Sequence, residues 1–283
     1  MTELPQNDVA GPLTPESWAE HVAHQEIVVA MRFSYFGRSG WQGAASRDKA
    51  LLFDADRLML RLSLLESLAL PSLAAQTDQH FHLHVLCGWA MPVWAKTALR
   101  EACASVLPED RFTVDPQPWG IAQVNLGKFL CRRYGTGRVL QTVLDDDDGL
   151  STDFLATMRQ EMAGLPPPAV ATDLRFVSFA RGFGLDVTDL STSAITLFAL
   201  RYPFINLGLS LSAPADGVNI FAIAHRKGPP KHPHVLRRGN RMYVRTIHVR
   251  NDSRLAMGQR WEALPDWRDD PEIAERFPWL LRL

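Results

Sequence analysis

The stretch VLQTVLDDDDGL, residues 139–150, places a short apolar run directly before four adjacent aspartates. A run of that length, closed by a glycine, reads as a buried strand. Four neighbouring carboxylates repel one another, so holding them at a strand end is costly unless a cation or hydrogen bonds offset the charge. A divalent ion is the simplest offset. Oxygen-only donors favour Mg²⁺ or Mn²⁺ over zinc, and Mg²⁺ keeps waters and takes only one or two protein carboxylates, leaving phosphate oxygens to complete its shell. The motif therefore predicts a phosphate-bearing substrate; the plainer reading is a solvated acidic loop.

Upstream, apolar runs alternate with helical spacings. EIVVAMRFSYF (26–36) reads as a strand ending in the turn GRSGWQG, and DRLMLRLSLLESLAL (56–70) as a helix that stops at Pro71. FHLHVLCG (81–88) and RFTVDP read as further strands, with PVWAKTALREACASVL as the helix between them. Asn125 is expected to cap the helix NLGKFLCRRYG, with Gly135 as its stop. Strands separated by helices of this length imply right-handed crossovers and a mainly parallel sheet, an α/β fold whose ligands bind outside the carboxyl ends of the strands. The aspartates fall at such an end. Farther on, SFARGFGLDV and TSAITLFAL are close enough to pair antiparallel, so the sheet becomes mixed. The division expected is a polar arm over 1–25, one domain over 26–255 and a C-terminal cover over 256–283.

With 46% hydrophobic residues the chain can bury a sizeable core, and a formal net charge of −1 leaves no global field to steer nucleic acid or a membrane. A nucleic-acid partner is not expected. Cys87, Cys103 and Cys131 lack zinc-site spacing and read as buried thiols of a reducing compartment. The start MTELPQNDVAGPLTPESW has no signal-peptide pattern and no run is long enough to span a bilayer, which makes the cytoplasm the expected location.

Register tests two other aspartate motifs. An EF-hand alignment on Gly149 puts Leu144 at position one and Leu155 at twelve, and fails at both ends. A haloacid-dehalogenase-like phosphohydrolase would use Asp146 as nucleophile and Asp148 as acid/base, but Leu150 stands where that motif expects a hydroxyl or small β-branched residue. It stays as the alternative.

The ordered series LESLALPSLAAQTDQHFHLHVL (65–86), RVLQTVLDDDDGLSTDFL, RFSYFG, PFINLGLSL (203–211) and IHVRN resembles the bacterial rhamnosyltransferase family, glycosyltransferases of the GT-A fold, over roughly residues 28–255. The resemblance implies a nucleotide-diphospho-sugar transferase fold with Mn²⁺ or Mg²⁺ as cofactor. Its substrates would be a nucleoside-diphosphate sugar donor and a glycan or lipid-linked acceptor. It implies that Asp145 faces the ribose or the water shell of the ion and that Asp147 binds the ion, with His248 as a late third ligand. Arg32, Arg57 and Gln76 would join Asp145 and Asp146 in holding the nucleotide sugar, although alternation along an extended backbone would turn Asp146 to the opposite side. An inverting enzyme needs a carboxylate base; beside Asp148, the loop residues Asp173, Asp186 and Asp189 stay open for that role, and a retaining enzyme would need none. A member that kept the fold but lost turnover would be a nucleotide-sugar-binding protein instead.

Residues 225–254 carry nine Lys/Arg against Asp252 alone, which suits a lid over a diphosphate or a contact with an anionic acceptor or membrane surface. His232 and His234, separated by proline, are a weaker ligand pair. Trp41, Trp89 and Trp94 are candidates to stack on sugar.

Overall fold

The computed structural model describes residues 13–40, 43–187, 195–247 and 262–283. In chain order the helices and strands are α1 (Pro15–His24), β1 (Ile27–Phe33), α2 (Lys49–Leu52), α3 (Ala55–Leu64), α4 (Leu70–Ala74), β2 (Phe81–Gly88), α5 (Val93–Ala104), β3 (Phe112–Gln117), α6 (Ala122–Tyr134) and β4 (Arg138–Val143). The second half adds β5 (Gly149–Leu150), α7 (Phe154–Ala163), β6 (Arg175–Phe179), β7 (Arg181–Asp186), β8 (Thr196–Arg201), β9 (Ser210–Pro214), β10 (His234–Arg237), β11 (Tyr243–Ile247), β12 (Glu262–Ala263) and α8 (Pro271–Arg276).

A seven-stranded sheet runs β10-β6-β9-β4-β1-β2-β3, and only β9 opposes the direction of the others. This is the mainly parallel α/β architecture that the alternating pattern implies. β1, β2 and β6 are buried along their whole length because helices cover both faces, which is why they read as continuous apolar runs rather than alternating ones.

The mixed region is not an extension of that sheet. The chain steps at Ala180 from β6 into a second, five-stranded sheet, β12-β8-β7-β11-β5, where β7 and β8 do pair antiparallel. One face of this sheet packs on Trp267, Ile273, Phe277, Trp279 and Leu280 of the C-terminal segment. Gly149, at the start of β5, sits under the Trp279 ring so closely that a Cβ there would lie 2.3 Å from Cη2. Trp279 Nε1 also donates to Leu150 O at 3.2 Å, and Thr152 N donates to Arg276 O at 2.9 Å. The C-terminal segment thus staples the residues that follow the aspartates.

Four local expectations are corrected. Residues 15–24 of the expected arm form α1, because Trp18 and Val22 give it an apolar side that is buried with Trp18 Nε1 donating to Met162 O. The helix begun at Ala55 does not stop at Pro71: residues 65–69 widen into a π-turn and the helix continues to Ala74, as a bulge next to a residue lacking an N–H allows. Asn125 lies inside α6 rather than at its cap, its amide donating to the Tyr35 hydroxyl at 2.9 Å, while Gly135 does end the helix with φ 63°. Cys87 and Cys103 are buried, and burial pushes both thiols up to about 12, but Cys131 is exposed.

Beneath α6, His82 and His84 of β2 stack on Phe129 with ring centroids 5.6 and 4.1 Å away. Burial lowers the His82 imidazole to about 4, with Arg133 adding to the fall, and burial lowers His84 against the pull of Asp115. Both folded-state values lie below that of an unfolded histidine, so the unfolded chain takes up these protons first as pH falls. Stability is therefore expected to hold above about pH 6.5 and to drop toward pH 4. Urea unfolding across that window checks this: His82→Gln should lose about one proton's worth of the slope, and an unchanged slope would contradict it.

Candidate active site

β4 ends at Val143, and the four aspartates form a turn rather than a continuation of the strand, with Asp148 N donating to Asp145 O at 3.2 Å. The turn carries the chain from the large sheet into β5 of the small one, so the carboxylates stand at the seam between the sheets, at the carboxyl edge of β4. Each points somewhere different.

Asp146 points inward. Its side chain is fully buried (0% exposed), and Arg61 of α3 grips it with both arms of the guanidinium, Nε donating to Oδ2 at 2.7 Å and Nη2 to Oδ1. Burial pushes the Asp146 carboxyl up to about 7, with Asp147 and Asp145 adding to the rise and Arg61 opposing it. Asp148 is also buried; its Oδ1 accepts from Thr246 N of β11 at 2.9 Å. Burial raises its carboxyl well above the usual range, Asp147 adds to that, and Arg245 opposes it. Asp145 is the most open of the four, its side chain 24% exposed, whereas Asp147 is buried at 11%. Arg32 Nη2 of β1 donates to Asp145 Oδ1 at 3.1 Å, and Arg61 Nη1 stands 3.6 Å from Asp147 Oδ2.

This changes the account of why the run is tolerated. Much of the repulsion is offset inside the protein by Arg32, Arg61 and a β11 amide. Arg61 is the residue that reading the sequence missed. The signal was present: Arg57 and Arg61 are four apart, on the same helix face as Leu58, Leu62 and Leu65, and both are buried. A cation on an apolar face needs a buried partner.

The other expected site residues separate. Gln76 is buried and spent on backbone: Nε2 donates to Ser72 O and Ser151 O at 2.8 and 2.7 Å, and Oε1 accepts from Leu155 N at 3.0 Å. It fixes the start of α7 behind the turn. Asp173 lies at the wrong edge. Its backbone oxygen accepts from Arg138 at the start of β4, roughly 20 Å along the strand from the aspartates. Its carboxylate caps its own loop by accepting from Ala169 N, which holds the carboxyl below its ordinary value. Asp186 ends β7 beside Ile247 of β11, one register step beyond the Thr246 amide that holds Asp148, and so reaches the same edge about 10 Å across two strand spacings. His248, Asp189 and Trp41 lie outside the described residues.

The described part of the basic segment is not a lid, because β10 and β11 are strands of the two sheets and Arg237 pairs with Glu161 at 2.6 Å. Of the weaker histidine pair, His234 is exposed with Nδ1 at 2.9 Å from His232 O. The donors at the turn are carboxylate oxygens, the right type for Mg²⁺ or Mn²⁺, but the described residues contain no cluster of three or more His, Cys, Asp or Glu able to hold an ion. They fit an ion held mainly by water and substrate oxygens around Asp145 and Asp147.

A mainly parallel α/β sheet with an acidic turn at a central strand's carboxyl edge defines the class of the protein, an α/β fold whose ligands bind at that edge. The family model described as "Putative rhamnosyl transferase" matches residues 26–260, and the chain belongs to this family of glycosyltransferases. No curated protein matches the chain. Among solved structures, S. aureus TarS 1–349 is 11% identical with a TM-score of 0.42, covering 78% of this chain and 60% of its own. S. aureus TarS is 11% identical with a TM-score of 0.40, covering 78% of this chain and 37% of its own. The chain thus spans less than two thirds of either.

Proposed function

We propose that the protein transfers a sugar, rhamnose by its family, from a nucleoside diphosphate to an acceptor, with Mn²⁺ or Mg²⁺ at Asp147. The observation that carries this reading is the division of labour in the aspartate turn. Asp146 and Asp148 are anchored in the protein, while Asp145 keeps a partly exposed carboxylate at the carboxyl edge with Asp147 beside it. When bound, the ion supplies positive charge where the departing diphosphate gains negative charge. Arg32 orients Asp145 for the ribose side of the donor, and Asp186 takes the proton from an acceptor hydroxyl on the small-sheet side, a role that its position at the end of β7 supports. Its place is the carboxyl edge shared with Asp148.

The phosphohydrolase alternative finds no support in this arrangement. A nucleophilic Asp146 would need an exposed oxygen, and both of its oxygens accept from Arg61 in a fully buried pocket. A binding protein without turnover would differ from a transferase in product alone.

Calorimetric titration of UDP, dTDP and GDP, with and without Mn²⁺, tests the reading. Manganese-dependent binding of one nucleotide is expected and would name the base of the donor. Absence of binding in every combination would overturn it.

A further inference from the structure

The carboxyl edge that carries the aspartates also carries a concentration of exposed apolar side chains. They come from the loops and helix starts that follow β1, β2 and β3. Trp89 is 64% exposed, Trp119 59% and Val93 75%, and Trp94, Ile121 and Leu51 are exposed beside them. A single exposed tryptophan is ordinary; three on adjoining loops of one edge mark an interaction surface. Between them opens a cavity of about 130 Å³ lined by Phe36, Pro118 and the two most exposed tryptophans.

The polar groups of this surface are mostly cations. Lys96 Nζ lies 5.5 Å from the centroid of the Trp89 ring and donates to Trp89 O at 2.9 Å, and Lys49 Nζ lies 5.2 Å from that of Phe36. The loop stretches 34–53, 88–96 and 117–124 hold Arg38, Arg47, Lys49 and Lys96 against Asp48, whose carboxylate is occupied in capping α2, and α3 then opens with Asp54, which caps it, and Asp56. The net charge of the whole chain hides this local excess.

We infer that this edge docks on an anionic membrane surface, the tryptophans entering the headgroup boundary and the lysines and arginines meeting lipid phosphate. Tryptophan and lysine together suit that boundary: the indole is apolar with one donor, and the lysine stem lies along apolar surface while its ammonium stays wet. A saccharide fits less well, since its hydroxyls would face Val93, Ile121 and Leu51, which can pair none of them. No helix among the described residues is long and apolar enough to cross a membrane, so the contact is a surface one. Trp89 follows β2, two strands from β4, which sets it roughly 10 Å from the aspartate turn. Docking would therefore bring the turn close to the bilayer, and a lipid-borne acceptor would reach it without leaving the membrane. That last step rests on the transferase reading; the docking itself does not.

Vesicle co-sedimentation of the full chain tests docking without any catalytic readout. Phosphatidylcholine vesicles containing phosphatidylglycerol should bind the wild type, pure phosphatidylcholine vesicles should bind it more weakly, and Trp89→Ser/Trp119→Ser should lower partitioning about tenfold or more. Far-ultraviolet circular dichroism and the urea midpoint verify that the variant is folded. A single substitution of the exposed Trp94, Trp94→Ser, gives a second reading if the double variant is unstable. Three results would overturn the proposal: no wild-type binding to anionic vesicles, binding that the tryptophan changes leave intact, or a vesicle-free dimer that the same changes dissociate, which would assign the surface to a second copy of the chain.

Discussion

Asp147→Ala is expected to lower the kcat/KM for sugar transfer about 10²- to 10³-fold and to leave the urea midpoint nearly unchanged. Asp147 lies between the two anchored carboxylates, with Arg61 Nη1 3.6 Å from its Oδ2, whereas Arg61 binds Asp146 with both arms and the Thr246 amide holds Asp148. Removing this carboxylate leaves the Arg61 grip on Asp146 and the Thr246 amide on Asp148 in place, so the turn keeps its shape. The loss should fall on the metal-dependent part of donor binding: manganese should no longer strengthen nucleotide affinity. A variant with wild-type turnover would remove Asp147 from the ion site. A variant that unfolds at markedly lower urea would show that its carboxylate holds the turn together instead.

The second large effect concerns stability. Arg61→Met should cost about 3–5 kcal/mol in urea unfolding, because it strands a fully buried Asp146 carboxylate without its partner. The cost should shrink as pH falls. Burial already lifts the carboxyl up to about 7 with the guanidinium present, and without it protonation in the folded state becomes easier still. Arg61→Met/Asp146→Leu should recover most of the loss, since a buried pair replaced by apolar side chains of similar volume is often near neutral. The two single changes would then sum to far more than the double, the signature of direct coupling. Additive effects would mean that the grip contributes nothing.

These two residues mark what can be read along a chain and what cannot. The strands β1 to β4 and the helices between them were legible because each is a local pattern, an apolar run or a helical spacing closed by glycine or proline. The aspartates were legible as an edge feature for the same reason. Their individual directions were not. Asp146 is turned inward by a residue 85 positions upstream, and Asp148 is held by an amide 98 positions downstream. Asp173 looked as suitable as Asp186 until the sheet order put one at the amino edge and the other at the carboxyl edge. The two-residue strand β5, which forms one edge of the second sheet, has no periodicity to detect.

The C-terminal staple has a consequence for the order in which the protein is made. Trp279 reaches back 129 residues to bond Leu150, and Arg276 holds Thr152 beside it. At ordinary rates of translation that interval takes on the order of ten seconds. During that time β1 to β4 can already pair and Arg32 and Arg61 can meet the aspartates, while the residues just after them wait for Trp279 and Arg276. A nascent-chain series arrested at increasing lengths should therefore gain the protected large sheet well before it gains protection at the turn, which makes the chemistry of this fold a late product of its own synthesis.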